Sequence, residues 1–117
     1  MALSIIRAGA TETRSLPDGV KRSIMAYDKD VTLSFMRSDR KESLNSSHSH
    51  PHRQIVYVLS GSGVFCIDGE SEIMNAGDCV TIPANAAHTF TSFSEPTEWL
   101  EFFAPGREDL KAEFKLL

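Results

Sequence analysis

The chain has 117 residues, a net charge of −4 and a hydrophobic content of 41%, a composition typical of one globular domain with one core. Its lysines and arginines are scattered, so we do not expect it to bind nucleic acid. No apolar run approaches the ~20 residues of a membrane-spanning helix, and Met1–Arg7 lacks the basic-then-apolar pattern of a secretion signal. We therefore expect residues 1–117 to form a single cytoplasmic domain that does not bind membranes.

The first part of the chain predicts two strands after a short apolar patch. The patch, Leu3–Ile6, is able to form an edge strand or to contact a partner subunit. Val20–Tyr27 and Val31–Met36 have the composition of strands. In the second of these, apolar and polar residues alternate, and we expect its apolar residues to form the buried face: Val31, Leu33 and Phe35.

The remainder of the chain predicts further short strands separated by turns. These strands are Ile55–Leu59, Val64–Ile67, Ser71–Met74, Cys79–Ile82, His88–Phe93 and Trp99–Phe103. Such spacing is typical of an antiparallel barrel or sandwich. The tail Arg107–Leu117 places Leu110, Phe114 and Leu117 at helical intervals. The predicted fold class is therefore all-β, with a short C-terminal helical tail.

The two cysteines, Cys66 and Cys79, both lie in predicted strands. We expect two buried free thiols, as is usual for a cytosolic protein, in preference to a disulfide or a catalytic thiol.

Histidines are concentrated around residue 50. His48 and His50 are two positions apart, so on a strand their side chains leave the same face, and Gln54 keeps that parity. His88 lies in a distant predicted strand. Three imidazoles with an amide oxygen as a weaker fourth ligand suit a divalent transition metal, namely nickel, iron, manganese, zinc or copper. The alternative is a polar core without a metal.

His52 shares the parity of the proposed ligands, but Pro51 interrupts the regular strand, so we interpret His52 as a residue at the rim of the site. The proposed ligands carry no negative charge, and a divalent ion bound by them would keep most of its charge. Such a site favours an anionic or enolisable substrate and acts as a Lewis acid.

A second group of candidate residues lies near the end of the last predicted strand. Glu101 and Phe103 share a strand face, and the turn at Pro105–Gly106 is able to bring Arg107 back to the mouth of the barrel. A carboxyl group near a metal transfers protons, and an arginine binds a carboxylate with two parallel hydrogen bonds. On spacing alone, a solvated glutamate, a core phenylalanine and a surface arginine remain the slightly favoured alternative.

Two segments resemble the motifs of the cupin family. The first is His48-x-His50, three residues, Gln54 and then a strand that ends at Gly61; the second runs from Gly77 through Pro83 to His88. The resemblance implies a double-stranded β-helix, or jelly-roll, barrel. The chain departs from the family pattern in having Gln54 where Glu is common and Glu42 where Gly often stands.

The ending Glu101-x-Phe103-x-Pro-x-Arg107, together with the four candidate ligands, resembles the KdgF-type pectin-degradation cupins, which commonly have Asp at the position of Glu101. This resemblance implies an enzyme that converts 4,5-unsaturated uronate monosaccharides from pectin or alginate breakdown to linear keto sugars. It implies proton transfer by Glu101, binding of the substrate carboxylate by Arg107 and an apolar wall at Phe103. The alternatives are a cupin dioxygenase or lyase acting on another enolisable molecule, and a non-catalytic protein that binds a sugar acid.

Three residues of the strand after Gln54 have the opposite parity to Gln54. Ile55, Tyr57 and Leu59 therefore face away from the proposed metal site, towards the other sheet or a second subunit. Together with the patch Leu3–Ile6, they predict a homodimer.

Overall fold

A computed structural model of the protein describes residues 3, 5–42 and 47–114. The strands are β1 (Thr13–Ser15), β2 (Lys21–Tyr27), β3 (Thr32–Ser38), β4 (Arg53–Ser60), β5 (Ser62–Ile67), β6 (Glu70–Asn75), β7 (Cys79–Ile82), β8 (His88–Phe93) and β9 (Thr97–Ala104), and they are followed by the helix α1 (Glu108–Glu113). The prediction of an all-β fold with a short C-terminal helix is confirmed. Leu117, at the end of the predicted helical tail, lies outside the described residues.

The strands form two antiparallel sheets that share one core. The larger sheet has the order β1-β2-β3-β9-β4-β7, and the smaller has the order β6-β5-β8. Val56 and Trp99 of the larger sheet belong to the same buried cluster as Phe65 and Phe90 of the smaller one. This is the predicted jelly roll. The polar strand β1, which pairs with β2 through its main chain, was not predicted because Thr13–Ser15 has no apolar alternation.

The buried face of β3 is the opposite of the predicted one. Its buried residues are the even-numbered ones, Thr32, Ser34, Met36 and Ser38, so the prediction for Val31, Leu33 and Phe35 is wrong. Thr32 and Ser34 stand opposite Phe103 and Glu101 of β9. Small side chains at these positions leave room for the larger residues of β9 inside the barrel.

The apolar residues of β3 belong instead to an outer surface of the larger sheet. Leu33, Phe102 and Ile55 lie side by side on β3, β9 and β4, and the next row is Phe35, Leu100 and Tyr57. Ile55, Tyr57 and Leu59 are 39%, 37% and 42% exposed. We call this set of residues the outer apolar face. Cys79, on the neighbouring strand β7, is also exposed and Cys66 is partly buried; both thiols are free, but the prediction that Cys79 is buried is wrong.

The connection from β9 to α1 packs against the segment between β2 and β3. Gly106 donates a main-chain hydrogen bond of 2.9 Å to the carbonyl of Lys29, and a Cβ atom at this position would collide with the carbonyl of Asp28. Only glycine therefore fits here. The helix then packs Leu110 against Phe103. Within the described part of the chain, no helix is long and apolar enough to span a membrane.

Candidate metal centre and the adjoining acid

His48 and His88 are brought together by the main chain. The two residues form an antiparallel bridge in which the N–H of each donates to the carbonyl of the other, at 3.1 and 2.9 Å. Outside this bridge, the segment with His48 and His50 is not a regular strand, since β4 begins only at Arg53. The predicted convergence nevertheless holds, because the ligand atoms of His48, His50 and His88 lie within 4.8 Å of one another.

His88 has an unpaired nitrogen aimed into the barrel. Its Nδ1 lies 2.8 Å from the carbonyl oxygen of Ala86, so Nδ1 carries the hydrogen and donates it. Its Nε2 is buried and has no hydrogen-bond partner in the described structure, and the residue is only 2% exposed. Burial is the largest cause that lowers the pKa of His88, which favours the neutral imidazole. A neutral imidazole with a free lone pair is the form that binds a metal ion.

His50 and Gln54 present a second pair of donor atoms to the same space. The Nδ1 of His50 donates to the carbonyl of His52 at 2.9 Å, which leaves its Nε2 as an acceptor, 2.9 Å from Oε1 of Gln54. Two acceptors facing each other favour a cation that binds both.

His48 lies on the more open side of the group. Loss of hydration is the largest cause that lowers its pKa, followed by the neighbouring His88, while the carboxylate of Glu101 acts in the opposite direction. The pKa of His52 is also lowered, by burial first and by Arg107 second. His52 is not one of the three histidines whose ligand atoms lie within 4.8 Å of one another. Its position at the rim of the site stays a prediction.

These residues fit a divalent transition metal. The three imidazoles and the amide of Gln54 are ligands of the kind that such ions bind. Among the described residues, the buried Nε2 of His88 has no hydrogen-bond partner that would compete with an ion. His48, His50 and His88 could hold the ion, with Gln54 as a fourth ligand.

Glu101 lies beside this group in a small cavity. A cavity of about 60 Å³ is lined by Glu101, His48, His88, Arg22 and Trp99, among other residues. The side chain of Glu101 is 13% exposed, and it is therefore not a solvated surface glutamate. Arg22 Nη2 forms an ion pair of 3.5 Å with its Oε1, and the indole nitrogen of Trp99 donates to its Oε2 at 3.1 Å.

Phe103 lies next to His50, and Arg107 lies over Phe103. Phe103 is 2% exposed and contacts the ring of His50 edge-on, with centroids 5.6 Å apart. The guanidinium of Arg107 stacks over Phe103 at 4.7 Å. Its Nε and Nη2 donate to the two carboxylate oxygens of Asp109 at 2.9 and 2.7 Å, and these bonds lower the pKa of Asp109 to about 2. The structure thus places Phe103 against His50 and Arg107 over Phe103, but it pairs Arg107 with Asp109 and buries Phe103.

Sequence reasoning missed three residues of this region: Arg22, Trp99 and Asp109. Arg22 follows Lys21 at the polar start of β2, where it gives no periodic signal, and Trp99 was recognised only as part of a strand. Asp109 could have been found from the sequence, because it follows Arg107 by two positions and acidic residues are common in the first turn of a helix.

Comparisons with known proteins agree with this architecture. The model of the cupin domain family matches residues 35–103. The pectin degradation protein KdgF of Dickeya dadantii (strain 3937) is 32% identical over 100 residues, which cover 85% of this chain and 90% of that protein. An acireductone dioxygenase of Leptospira biflexa is 40% identical over 58 residues, but these cover only 46% of this chain and 33% of the dioxygenase.

Among solved structures, KdgF from Halomonas sp. superposes with a TM-score of 0.84 at 24% sequence identity, and the match covers 93% of this chain and 99% of that one. This likeness shows the fold. The match of the family model and the similarity to the Dickeya protein agree with this fold. The chain belongs to the cupin family.

Proposed function

We propose that this protein is a metal-dependent cupin enzyme that converts 4,5-unsaturated uronate monosaccharides, formed in pectin or alginate breakdown, to linear keto sugars. The observation that carries the proposal is the 32% identity to KdgF of Dickeya dadantii over 85% of the chain. The histidine group and the adjoining Glu101 supply the types of side chain that this reaction requires.

The proposed reaction is an isomerisation. The bond between the anomeric carbon and the ring oxygen breaks, the anomeric hydroxyl loses its proton and the ring oxygen becomes part of an enol. A proton delivered to C4 then converts the enol to a ketone, so that no atoms are gained or lost. Glu101 is the candidate for moving this proton, since its carboxyl group lines the cavity together with His48 and His88 and shares a strand with Phe103.

His48, His50, His88 and Gln54 would hold the metal ion, which supplies Lewis-acid polarisation of substrate oxygens when bound. Arg107 is our candidate for binding the substrate carboxylate, and Phe103 for an apolar wall behind it. Because Asp109 occupies both donors of the Arg107 fork, the substrate carboxylate must compete with Asp109 or bind the remaining guanidinium N–H groups.

A second candidate is a dioxygenase acting on another enolisable molecule, and the partial similarity to acireductone dioxygenase favours it. The two candidates differ in their demand for oxygen, because the isomerisation needs none. An oxygen electrode therefore separates them.

The test of the proposal is an assay with 4,5-unsaturated galacturonate. The protein, loaded separately with each candidate ion, is incubated with this sugar acid while the ultraviolet absorbance of its conjugated double bond is followed. We expect the absorbance to disappear faster than in buffer, equally with and without oxygen. Loss of absorbance at the buffer rate for every ion would exclude the proposed reaction.

A further inference from the structure

We propose that Arg22 and Trp99 are positioning residues that hold the carboxylate of Glu101 in the cavity that it shares with His48 and His88, two of the three candidate metal ligands. This inference rests on the proposed function in assigning proton transfer to Glu101. It adds two residues that act on the reaction through Glu101.

The sheet places the three residues together by register. Arg22 on β2 stands opposite Met36 on β3, and Met36 stands opposite Trp99 on β9, so these residues form one row across three neighbouring strands. Glu101 follows Trp99 by two positions on β9 and therefore shares its face. Their side chains line the same cavity.

Each carboxylate oxygen of Glu101 faces a different donor. Oε1 lies 3.5 Å from Nη2 of Arg22, and Oε2 accepts the hydrogen bond of 3.1 Å from the indole of Trp99. The two side chains of the ion pair are only 16% and 13% exposed, so little water competes with these contacts. With one partner on each oxygen, rotation of the carboxylate about its last bond is restricted.

Both donors are themselves held in place. Trp99 is 3% exposed, and its ring packs against Phe90 and Phe93 with centroids 4.8 and 5.4 Å away. The Nε of Arg22 lies 3.4 Å from the sulfur of Met36. A rigid indole and a guanidinium anchored on the neighbouring strand are suited to fixing a third side chain.

Positioning matters here because proton transfer needs close approach. Glu101 shares its cavity of about 60 Å³ with His48 and His88. A proton-transferring group must come within about 2.6–3.2 Å of its target. A carboxylate that turns away by 1 Å would lose much of its effect.

The first test compares steady-state kinetics of metal-loaded variants. Arg22→Met removes the charge and the donors, Arg22→Lys keeps the charge, and Trp99→Phe removes only the indole N–H. We expect Arg22→Met to lower kcat by ~10–100-fold, by analogy with the loss found when side chains that orient metal ligands are removed, with KM nearly unchanged. Arg22→Lys should restore part of the loss, and Trp99→Phe should lower kcat less than Arg22→Met.

A matched control is available on the same sheet. Arg37 also forms a cross-strand ion pair with a glutamate of β9, Glu98, at 3.1 Å, but this pair is more exposed and does not line the cavity. Arg37→Met should leave kcat and KM unchanged. Equal losses in Arg37→Met and Arg22→Met would indicate a general effect of removing an ion pair and would overturn the proposal.

The second test repeats Arg22→Met in a Glu101→Gln background, at high enzyme concentration. If Arg22 acts through Glu101, the added substitution should change kcat by less than about twofold, because the group that it positions is already gone. A rise in KM that persists in the Glu101→Gln background would instead mean that Arg22 binds the substrate directly. That result would overturn the positioning role.

The third test does not depend on the reaction. Trp99 is the only tryptophan of the chain, so its indole N–H gives a single assignable signal in a ¹H–¹⁵N spectrum. We expect this signal to shift in Glu101→Gln and in Arg22→Met, and to stay in place in Arg37→Met. An indole signal that is unchanged in both Glu101→Gln and Arg22→Met would refute the contact network. If wild type fails to convert the uronate while the indole signal shifts as expected, the proposed function fails and the network around Glu101 remains.

Discussion

His48 and His88 are joined by two main-chain hydrogen bonds, of 3.1 and 2.9 Å, that involve neither imidazole. Their side chains are therefore placed by the backbone, and the ring centroids lie 4.4 Å apart. Such a site is formed before a metal arrives, and a ligand side chain is removable without breaking the bridge that positions it.

The first prediction concerns metal content. Wild type should bind one divalent ion per chain, whereas His50→Ala and His88→Ala should lose it with the strand content largely intact, because the ligands are not needed for the main-chain bridge. Elemental analysis and circular dichroism measure the two properties. His52→Ala is the control and should keep the metal. Wild-type protein that holds no metal even after reconstitution would contradict the assignment.

The second prediction concerns the pH dependence of stability in the metal-free protein. Burial lowers the pKa values of His48 and His88 from their ordinary value of 6.5. Below pH 6.5 the unfolded chain takes up protons that the folded chain resists, so the free energy of unfolding should fall as the pH drops below 6.5. Above that pH both states are neutral at these residues and the contribution is constant.

Urea denaturation at a series of pH values measures this dependence, and His88→Gln should show a shallower decline than wild type. The same slope in both proteins would show that the buried imidazole does not resist protonation.

The third prediction concerns Arg107. Arg107→Lys keeps the charge but loses the planar fork, so it should chiefly raise KM for the uronate, and Arg107→Ala should raise it further. Lys111→Ala, which removes a cation of α1, the helix that begins directly after Arg107, is the control and should leave KM unchanged. Wild-type kinetics in Arg107→Ala would leave Arg107 with a structural role, as the partner of Asp109 and Phe103.

The fourth prediction concerns assembly. The outer apolar face should be covered by a second copy of the chain, since burying apolar surface contributes ~25 cal/mol per Å² before the costs of association. Light scattering should show a dimer for wild type and a monomer for Tyr57→Glu. Ile73→Glu is the control, because Ile73 is 64% exposed on the smaller sheet. A monomeric wild type at all concentrations would contradict the prediction.

Most strands could be predicted from the sequence because apolar residues alternate and glycine or proline marks the turns. The face of β3 could not be predicted, because apolar residues on an outer surface give the same alternation as a core face. The short strand β1 could not be predicted either, because Thr13–Ser15 is polar and shows no apolar alternation.

The histidine group could be predicted from spacing, because the ligands occur in two sequence motifs. The surroundings of Glu101 could not, since the contact between Arg22 and Glu101 joins residues 79 positions apart. Only the register of β2, β3 and β9 reveals it. Arg107 and Asp109 are only two residues apart, but whether they form an ion pair depends on where the helix begins.

The most direct test of the proposed reaction is a proton NMR time course in D₂O. Metal-loaded protein is mixed with 4,5-unsaturated galacturonate, and the signal of the vinyl proton at C4 is followed. We predict loss of that signal faster than in buffer, with one deuterium added to a single face of C4. Glu101→Gln should be slower by ~10²–10⁴-fold at unchanged metal content. A vinyl signal that decays at the buffer rate, or deuterium on both faces of C4 at equal rates in wild type and Glu101→Gln, would contradict proton transfer by this site.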